Sequence, residues 1–192
     1  MVQSSKKVIF DTDVGIDDAV ALLLLERSPD VDLIAVVTGF GNASLDTTTR
    51  NALYMKERFG FEAPVFRGAS DSLAERLGDA VPDFVHGKNG LGDIELTEPT
   101  LREEEEPGAE AIVRLAKEHP GEISLVAVGR MTNVAQALAL CPELPTLLKE
   151  IVIMGGVFGF NGHRGNVSPV TEANIGGDPL AADQVMGCGA SI

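Results

Sequence analysis

Four carboxylates fall within eight residues, at Asp11-Thr-Asp-Val-Gly-Ile-Asp-Asp18, directly after the apolar run Val8–Phe10. No other feature limits the fold so strongly. The apolar run reads as a buried strand. Ile16–Glu26 carries the apolar spacing of a helix, with Asp17 and Asp18 in its first turn, where carboxylates suit the helix dipole. Asp11 and Asp13 then stand at the carboxyl end of a strand, close to the other two. A pair of such residues is ordinary capping and solvation; four together repel strongly unless a positive charge sits among them. Hard oxygen donors of this kind favour calcium or magnesium over zinc. The segment is a poor EF-hand, because the position of that loop's closing glutamate is Leu22.

The rest of the chain continues the strand–helix alternation. Leu33–Val37 reads as a second strand, followed by the breaker-rich Gly39-Phe-Gly-Asn42 and a helix over Leu45–Phe59. Pro64–Phe66 begins a short third strand, Gly68–Gly92 is loop-like, and Leu96–Pro107 is a polar connection whose run Glu103–Glu106 reads as a solvated face. Ala109–Glu118 is a helix ended by Pro120-Gly121. Ile123–Val128 is a fourth strand, and Thr132 or Asn133 caps the helix that runs to Leu140. Ile151–Met154 is a fifth strand, stopped by Gly155-Gly156. A polar loop then runs to Gly177, and Asp178-Pro179 opens a last helix. This order predicts an α/β fold: a mainly parallel central sheet with helices on both faces and a Rossmann-like core, in one domain over residues 1–192. Gly189-Ala-Ser-Ile192 resembles the entrance to another strand, so the chain reads as an incomplete version of a larger domain.

Ligands of open α/β sheets bind beyond the carboxyl ends of the strands. That rim would carry Asp11, Asp13, Asp17 and Asp18, then Asn42, then Arg130, Thr132 and Asn133, and finally Asn161, His163, Asn166, Glu172 and Asn174. Gly165-Asn166 and Glu172-Ala-Asn174 offer donors and acceptors suited to sugar hydroxyls. Aromatics make up 5% of the chain and tryptophan is absent, which disfavours a stacking platform for carbohydrate but leaves room for a small single-sugar pocket. Fifteen Lys+Arg against 29 Asp+Glu give a net charge of −14, which disfavours a nucleic-acid partner. The longest apolar run, Ala19–Leu25, is too short to span a bilayer, and the first residues lack the features of a signal peptide. Cys141 and Cys188 lie far apart, which suits a reducing, cytoplasmic compartment.

Taken together, these residues resemble the inosine-uridine-preferring nucleoside hydrolase family. Its amino-terminal signature is a strand followed by Asp-x-Asp-Pro-Gly-x-Asp-Asp, matched here by Asp11–Asp18. The similarity continues in family order through Gly41-Asn42, His86-Gly87, Thr132-Asn133, Ile153-Met-Gly-Gly156, Glu172-Ala-Asn174 and Asp178-Pro179. The resemblance implies hydrolysis of the N-glycosidic bond of ribonucleosides in purine or pyrimidine salvage, with calcium as cofactor and a homodimer or homotetramer as the assembly. Asp13 and Asp18 match calcium-binding carboxylates, and Thr132 matches a ligand through its backbone carbonyl. Asp13 also matches the general base that activates a calcium-bound water. Asp17, Asn42, Asn166, Glu172 and Asn174 match ribose-binding positions, Met154 lines the sugar pocket, and His86 lies near the base. Asp11 matches a residue that orients its neighbours.

Val14 replaces the family's proline, Arg130-Met131 replaces Pro-Leu, and Ala173 replaces a common phenylalanine. Family members also continue beyond Ile192, and that further portion carries an aspartate completing the calcium shell and often a histidine that protonates the leaving base. Two other readings follow. One is a catalytically impaired, truncated member that binds nucleoside and calcium. The other is a haloacid-dehalogenase-like phosphatase, in which Phe10-Asp-Thr-Asp-Val14 supplies Asp11 as nucleophile and Asp13 as acid. The phosphatase reading leaves no space for that family's flap before the first helix and offers no clear lysine to hold phosphate.

Overall fold

A computed structural model describes residues 5–73 and 82–192. Five strands, β1 (Lys6–Thr12), β2 (Val31–Thr38), β3 (Val65–Arg67), β4 (Ile123–Ala127) and β5 (Glu150–Ile153), form one sheet in the order β3-β2-β1-β4-β5. Every pairing in it is parallel, with Thr12 opposite Thr38 and Asp11 opposite Ala127. Parallel strands need crossovers, and helices supply them: α1 (Ile16–Arg27), α2 (Leu45–Phe59), α3 (Asp83–His86), α4 (Gly108–Glu118), α5 (Thr132–Leu140), α6 (Leu144–Leu147), α7 (Ala173–Gly177) and α8 (Pro179–Met186).

Side chains of a strand alternate between faces, and β1 shows why its run is apolar throughout. Ile9 packs with Ala35, Val37 and Leu125 beneath α4, α5 and α8, through Ile112, Val134 and Val185. Phe10 packs on the opposite face with Val36 beneath α1 and α2, through Leu22, Ala52 and Leu53. The expected two-faced α/β architecture is therefore present. The chain walks outward from β1 to β3, then returns to the other side of β1 for β4 and β5. The switch point lies between β1 and β4, where such sheets open a crevice at their carboxyl ends.

Several local expectations need correction. The expected loop over Gly68–Gly92 contains α3, and its residues 74–81 lie outside the described ones. The polar stretch before Gly177 holds a 3₁₀ turn, Phe160–Gly162, as well as α7. Neither Thr132 nor Asn133 caps α5; Met131 holds that position without a side-chain bond, because both side chains are engaged with buried carboxylates. Near Ile192, the Ser191 carbonyl accepts from the Ile151 amide at 2.8 Å, so this segment runs beside the outer edge of β5.

Candidate functional site

The turn from β1 into α1 builds the first half of the site. Asp18, at the third position of α1, reaches back to accept from the Gly15 amide at 2.8 Å, and its other oxygen accepts from the Thr12 hydroxyl at 3.2 Å. Asp13 accepts from the Asn42 amide N–H at 2.8 Å. The Asn42 side chain then donates to Asp18 at 2.8 Å and to Asp13 at 3.3 Å, bridging the two carboxylates. Close backbone approach completes the cradle. A Cβ on Gly41 would overlap the Asp13 carboxylate, and one on Gly129 would lie 3.0 Å from its Oδ1.

Asp13 and Asp18 are both buried. Burial first, and then the charge of Asp18, hold the Asp13 carboxyl well above the usual carboxylate range, with Arg130 a lesser opposing influence. Burial likewise raises Asp18, against the hydrogen bond from Gly15. Two like charges brought together out of water call for a cation, and the donors are hard oxygens suited to a hard divalent ion. Among the described residues no group of three or more His, Cys, Asp and Glu side chains gathers to hold a metal. Two carboxylates are thus the acidic oxygen donors that come together here, and any cation held by them would need further donors from the backbone or from elsewhere.

Asp11 lies behind this pair. Asn133 Nδ2 donates to its Oδ1 at 2.7 Å, while Oδ2 has no hydrogen-bond partner among the described residues. Burial pushes its carboxyl up to about 7, with the Asn133 bond acting in the opposite sense. Asn133 also donates to the Thr38 carbonyl and accepts from the Ala69 amide, tying the ends of β1 and β2 to α5. The Thr132 hydroxyl turns to Asp178 at 2.7 Å and not to Asp13 or Asp18. Asp178 is fully buried and also accepts from the Leu73 and Ala181 amides. The sequence marked Asp178 as a cap of α8 and, with Pro179, as part of the family pattern; its links to Leu73 and Thr132 span 105 and 46 residues and leave no local signal.

The second half of the site lies beyond β4 and β5. Asn174 donates to the carbonyls of Val128 at 2.7 Å and Met154 at 3.1 Å, so one amide spans the two strand ends. Glu172 caps α7 by accepting from the Asn174 and Ile175 amides, and it also accepts from the Gly156 amide at 2.9 Å. Asn166 is exposed and accepts from the Ala173 amide. Val128-Gly129 is the shared wall: Asn174 bonds to one residue of it and Asp13 lies against the other.

His86 is buried on α3, and its Nδ1 accepts from the Ile16 amide at 3.3 Å. The same Nδ1 lies 3.9 Å from the carboxylate of exposed Asp17. Asn161 and His163 lie exposed around the 3₁₀ turn, with no side-chain bond to the groups above. A separate cleft of about 340 Å³, lined by Arg50, Arg67 and Arg102 with Asp46, Glu98 and Glu103, contains none of the expected site residues. Buried Asn51, unmarked in the sequence, holds the turn from behind by donating to the carbonyls of Val14 and Asn89.

Comparison with known proteins agrees with this fold. The family model described as inosine-uridine preferring nucleoside hydrolase matches residues 8–192. Uridine nucleosidase 1 of Arabidopsis thaliana is 44% identical over 97% of this chain and 55% of its own length. The non-specific ribonucleoside hydrolase RihC of Escherichia coli (strain SE11) is 38% identical over 96% of this chain and 59% of its own. Among solved structures, a plant nucleoside hydrolase, PpNRh1, superposes with a TM-score of 0.91 at 42% identity, covering 96% of this chain and 57% of that one. The purine-preferring ribonucleoside hydrolase from Gardnerella vaginalis gives 0.90 at 36% identity, covering 96% and 58%. The chain spans a little over half the length of these relatives.

Proposed function

The chain belongs to the inosine-uridine preferring nucleoside hydrolase family, and from that premise we propose that it hydrolyses the N-glycosidic bond of ribonucleosides to ribose and free base. The observation that carries this reading is the buried Asp13–Asp18 pair, bridged by Asn42 at the switch point of the sheet and facing Val128-Gly129. Asp13, Asp18 and the backbone carbonyl of Thr132 would hold the metal, calcium by resemblance to the family. When bound, that cation supplies a positive charge that offsets the two carboxylates and makes water more acidic.

Asp13 is the general base. Two bonds from Asn42, its amide N–H and its side chain, hold the Asp13 carboxylate in place beside the proposed metal seat, where it can take the proton of the attacking water. Water attacks C1′ as the C1′–N bond breaks; its proton passes to Asp13, the bond's electron pair leaves with the base, which takes a proton from solvent, and Asp13 then returns its own proton to solvent. Asp17, Asn42, Asn166, Glu172 and Asn174 hold the ribose hydroxyls, and Met154 packs against the sugar. The carboxylates among them favour the positive charge that grows on the ring, as in glycosidases. Asp11 keeps Asn133 in place, and His86 stands on the side of the base. The same reading takes residues 1–192 as one nucleoside-hydrolase-like α/β domain of a cytoplasmic salvage enzyme that assembles as a homodimer or homotetramer. Both cysteines are free, which suits a reducing compartment.

The phosphatase alternative is disfavoured by the family match, which runs over residues 8–192 and is to nucleoside hydrolases. The test of the main reading is hydrolysis of p-nitrophenyl β-D-riboside by the purified chain, with calcium and after chelation. Its leaving group departs without protonation, so the assay addresses the residues present. Calcium-dependent turnover abolished by Asp13→Ala supports the reading. A folded chain with no turnover overturns it in favour of the impaired, binding-only member.

A further inference from the structure

We propose that Asn51 is a positioning residue that locks the loop carrying His86 to the turn carrying Asp13 and Asp18, so that the base side of the site and the metal seat keep one fixed spacing; this rests on the nucleoside reading above. Asn51 is fully buried on α2. The helix does not need it for attachment, because Ala52, Leu53 and Met55 already pack against the sheet. A buried amide is costly unless its polar atoms find partners, and Asn51 finds them in two loops. Its Nδ2 donates to the carbonyl of Val14, between Asp13 and Gly15, at 3.2 Å, and to that of Asn89, just past His86, at 3.0 Å. Arg50 closes the group, donating to Asn51 Oδ1 at 3.0 Å and to the same Asn89 carbonyl at 3.1 Å.

Each of the joined segments is held within itself, so one fastening passes position from the first to the second. Asn89 Oδ1 accepts from the Leu91 and Asp93 amides, both at 2.9 Å, and its Nδ2 donates to the Ile94 carbonyl at 2.8 Å. The Gly92 amide returns to the His86 carbonyl at 2.7 Å, so His86 rides on a closed turn. Gly90 lets that turn come close: a Cβ there would lie 2.8 Å from Asn51 Nδ2, and its φ of 77° suits glycine. In the other segment, Asn42 holds Asp13 and Asp18 together. The two segments meet again at Gly15, where a Cβ would lie 2.6 Å from both His86 Nδ1 and Asn42 Nδ2. The bond at this front contact, from the Ile16 amide to His86 Nδ1 at 3.3 Å, is longer than usual. The fastening behind, through Asn51, therefore sets how the His86 ring stands against the carboxylates.

The test compares the purified wild type with two variants. Asn51→Leu keeps the volume and removes both donations; Gly90→Ala presses the loop away from Asn51 and leaves the metal turn untouched. His86 is buried, His119 half-buried and His163 exposed, so the His86 imidazole signal in NMR, identified by its loss in His86→Gln, reports that ring's surroundings. In both variants this signal should move towards that of His163, which stays in place. With p-nitrophenyl β-D-riboside in calcium, KM should rise about tenfold, while kcat and the calorimetric Kd for calcium stay as in the wild type. A residue that merely fastens α2 would lower the melting temperature and move neither the His86 signal nor KM. A His86 signal unmoved in the folded variants, or one that moves with KM unchanged, overturns the inference. A calcium Kd that weakens along with KM overturns it too, since Asn51 would then be a general support of the turn. If Asn51→Leu does not fold, Gly90→Ala decides alone. A folded wild type without turnover removes the nucleoside reading and this inference together.

Discussion

At the scale of single residues, the function proposed here turns on where protons are held. Asp13→Asn keeps the shape of the cradle but removes the proton acceptor, and kcat for p-nitrophenyl riboside should fall by about 10²–10⁴-fold. An unchanged rate would displace Asp13 from that role. Asp11 gives a prediction about stability. Its carboxyl sits near 7 in the folded chain against an ordinary value of 3.8, so ionising it is harder folded than unfolded. Its contribution is complete below about pH 4, declines as pH rises towards 7, and is gone above that. Urea unfolding in chelator should show wild type losing stability over that window. Asp11→Asn should remove up to about 4 kcal/mol of the loss, with the rest left to Asp13 and Asp18, which are raised in the same direction. Parallel pH profiles for the two proteins would contradict this. The carboxylates themselves were legible in the sequence because they crowd into one turn. Asn42 and Asn133 were legible as residues of the same rim, but their pairing was not: Asn133 lies 122 residues from Asp11 and Asn42 lies 29 from Asp13, and only folding decides which carboxylate each one holds.

At the scale of elements, the five strands and the longer helices were legible because apolar spacing and breakers mark them. Their ends were not, since pairing decides them; β1 extends to Thr12 because β2 offers Thr38 opposite it. The four- and five-residue helices α3, α6 and α7 are too short to show a helical period. Asp178 shows how the helices are fixed to one another. Its carboxylate accepts from Thr132 at the start of α5, from Ala181 in α8 and from Leu73. Asp178→Ala strands those donors in a buried place and should cost roughly 3 kcal/mol or more in urea unfolding. Asp183→Ala, on the exposed side of α8, should cost less than about 0.5 kcal/mol. Similar losses for the two would mean that Asp178 does no more than cap its own helix.

At the scale of the whole molecule, two cores on opposite faces clamp a sheet whose carboxyl ends collect carboxylates with little positive charge among them. A cation that binds only the folded chain should then stabilise all of it. Calcium at about 100 times its dissociation constant should add about 2.7 kcal/mol, reversed by chelation and lost in Asp18→Asn. A melting temperature indifferent to calcium would argue against the Asp13–Asp18 seat. The bridge made by Asn42 bears on how such an ion would arrive. One amide, donating to both carboxylates, already fixes their spacing, so the cost of ordering the pair falls on folding the chain and not on the later arrival of an ion.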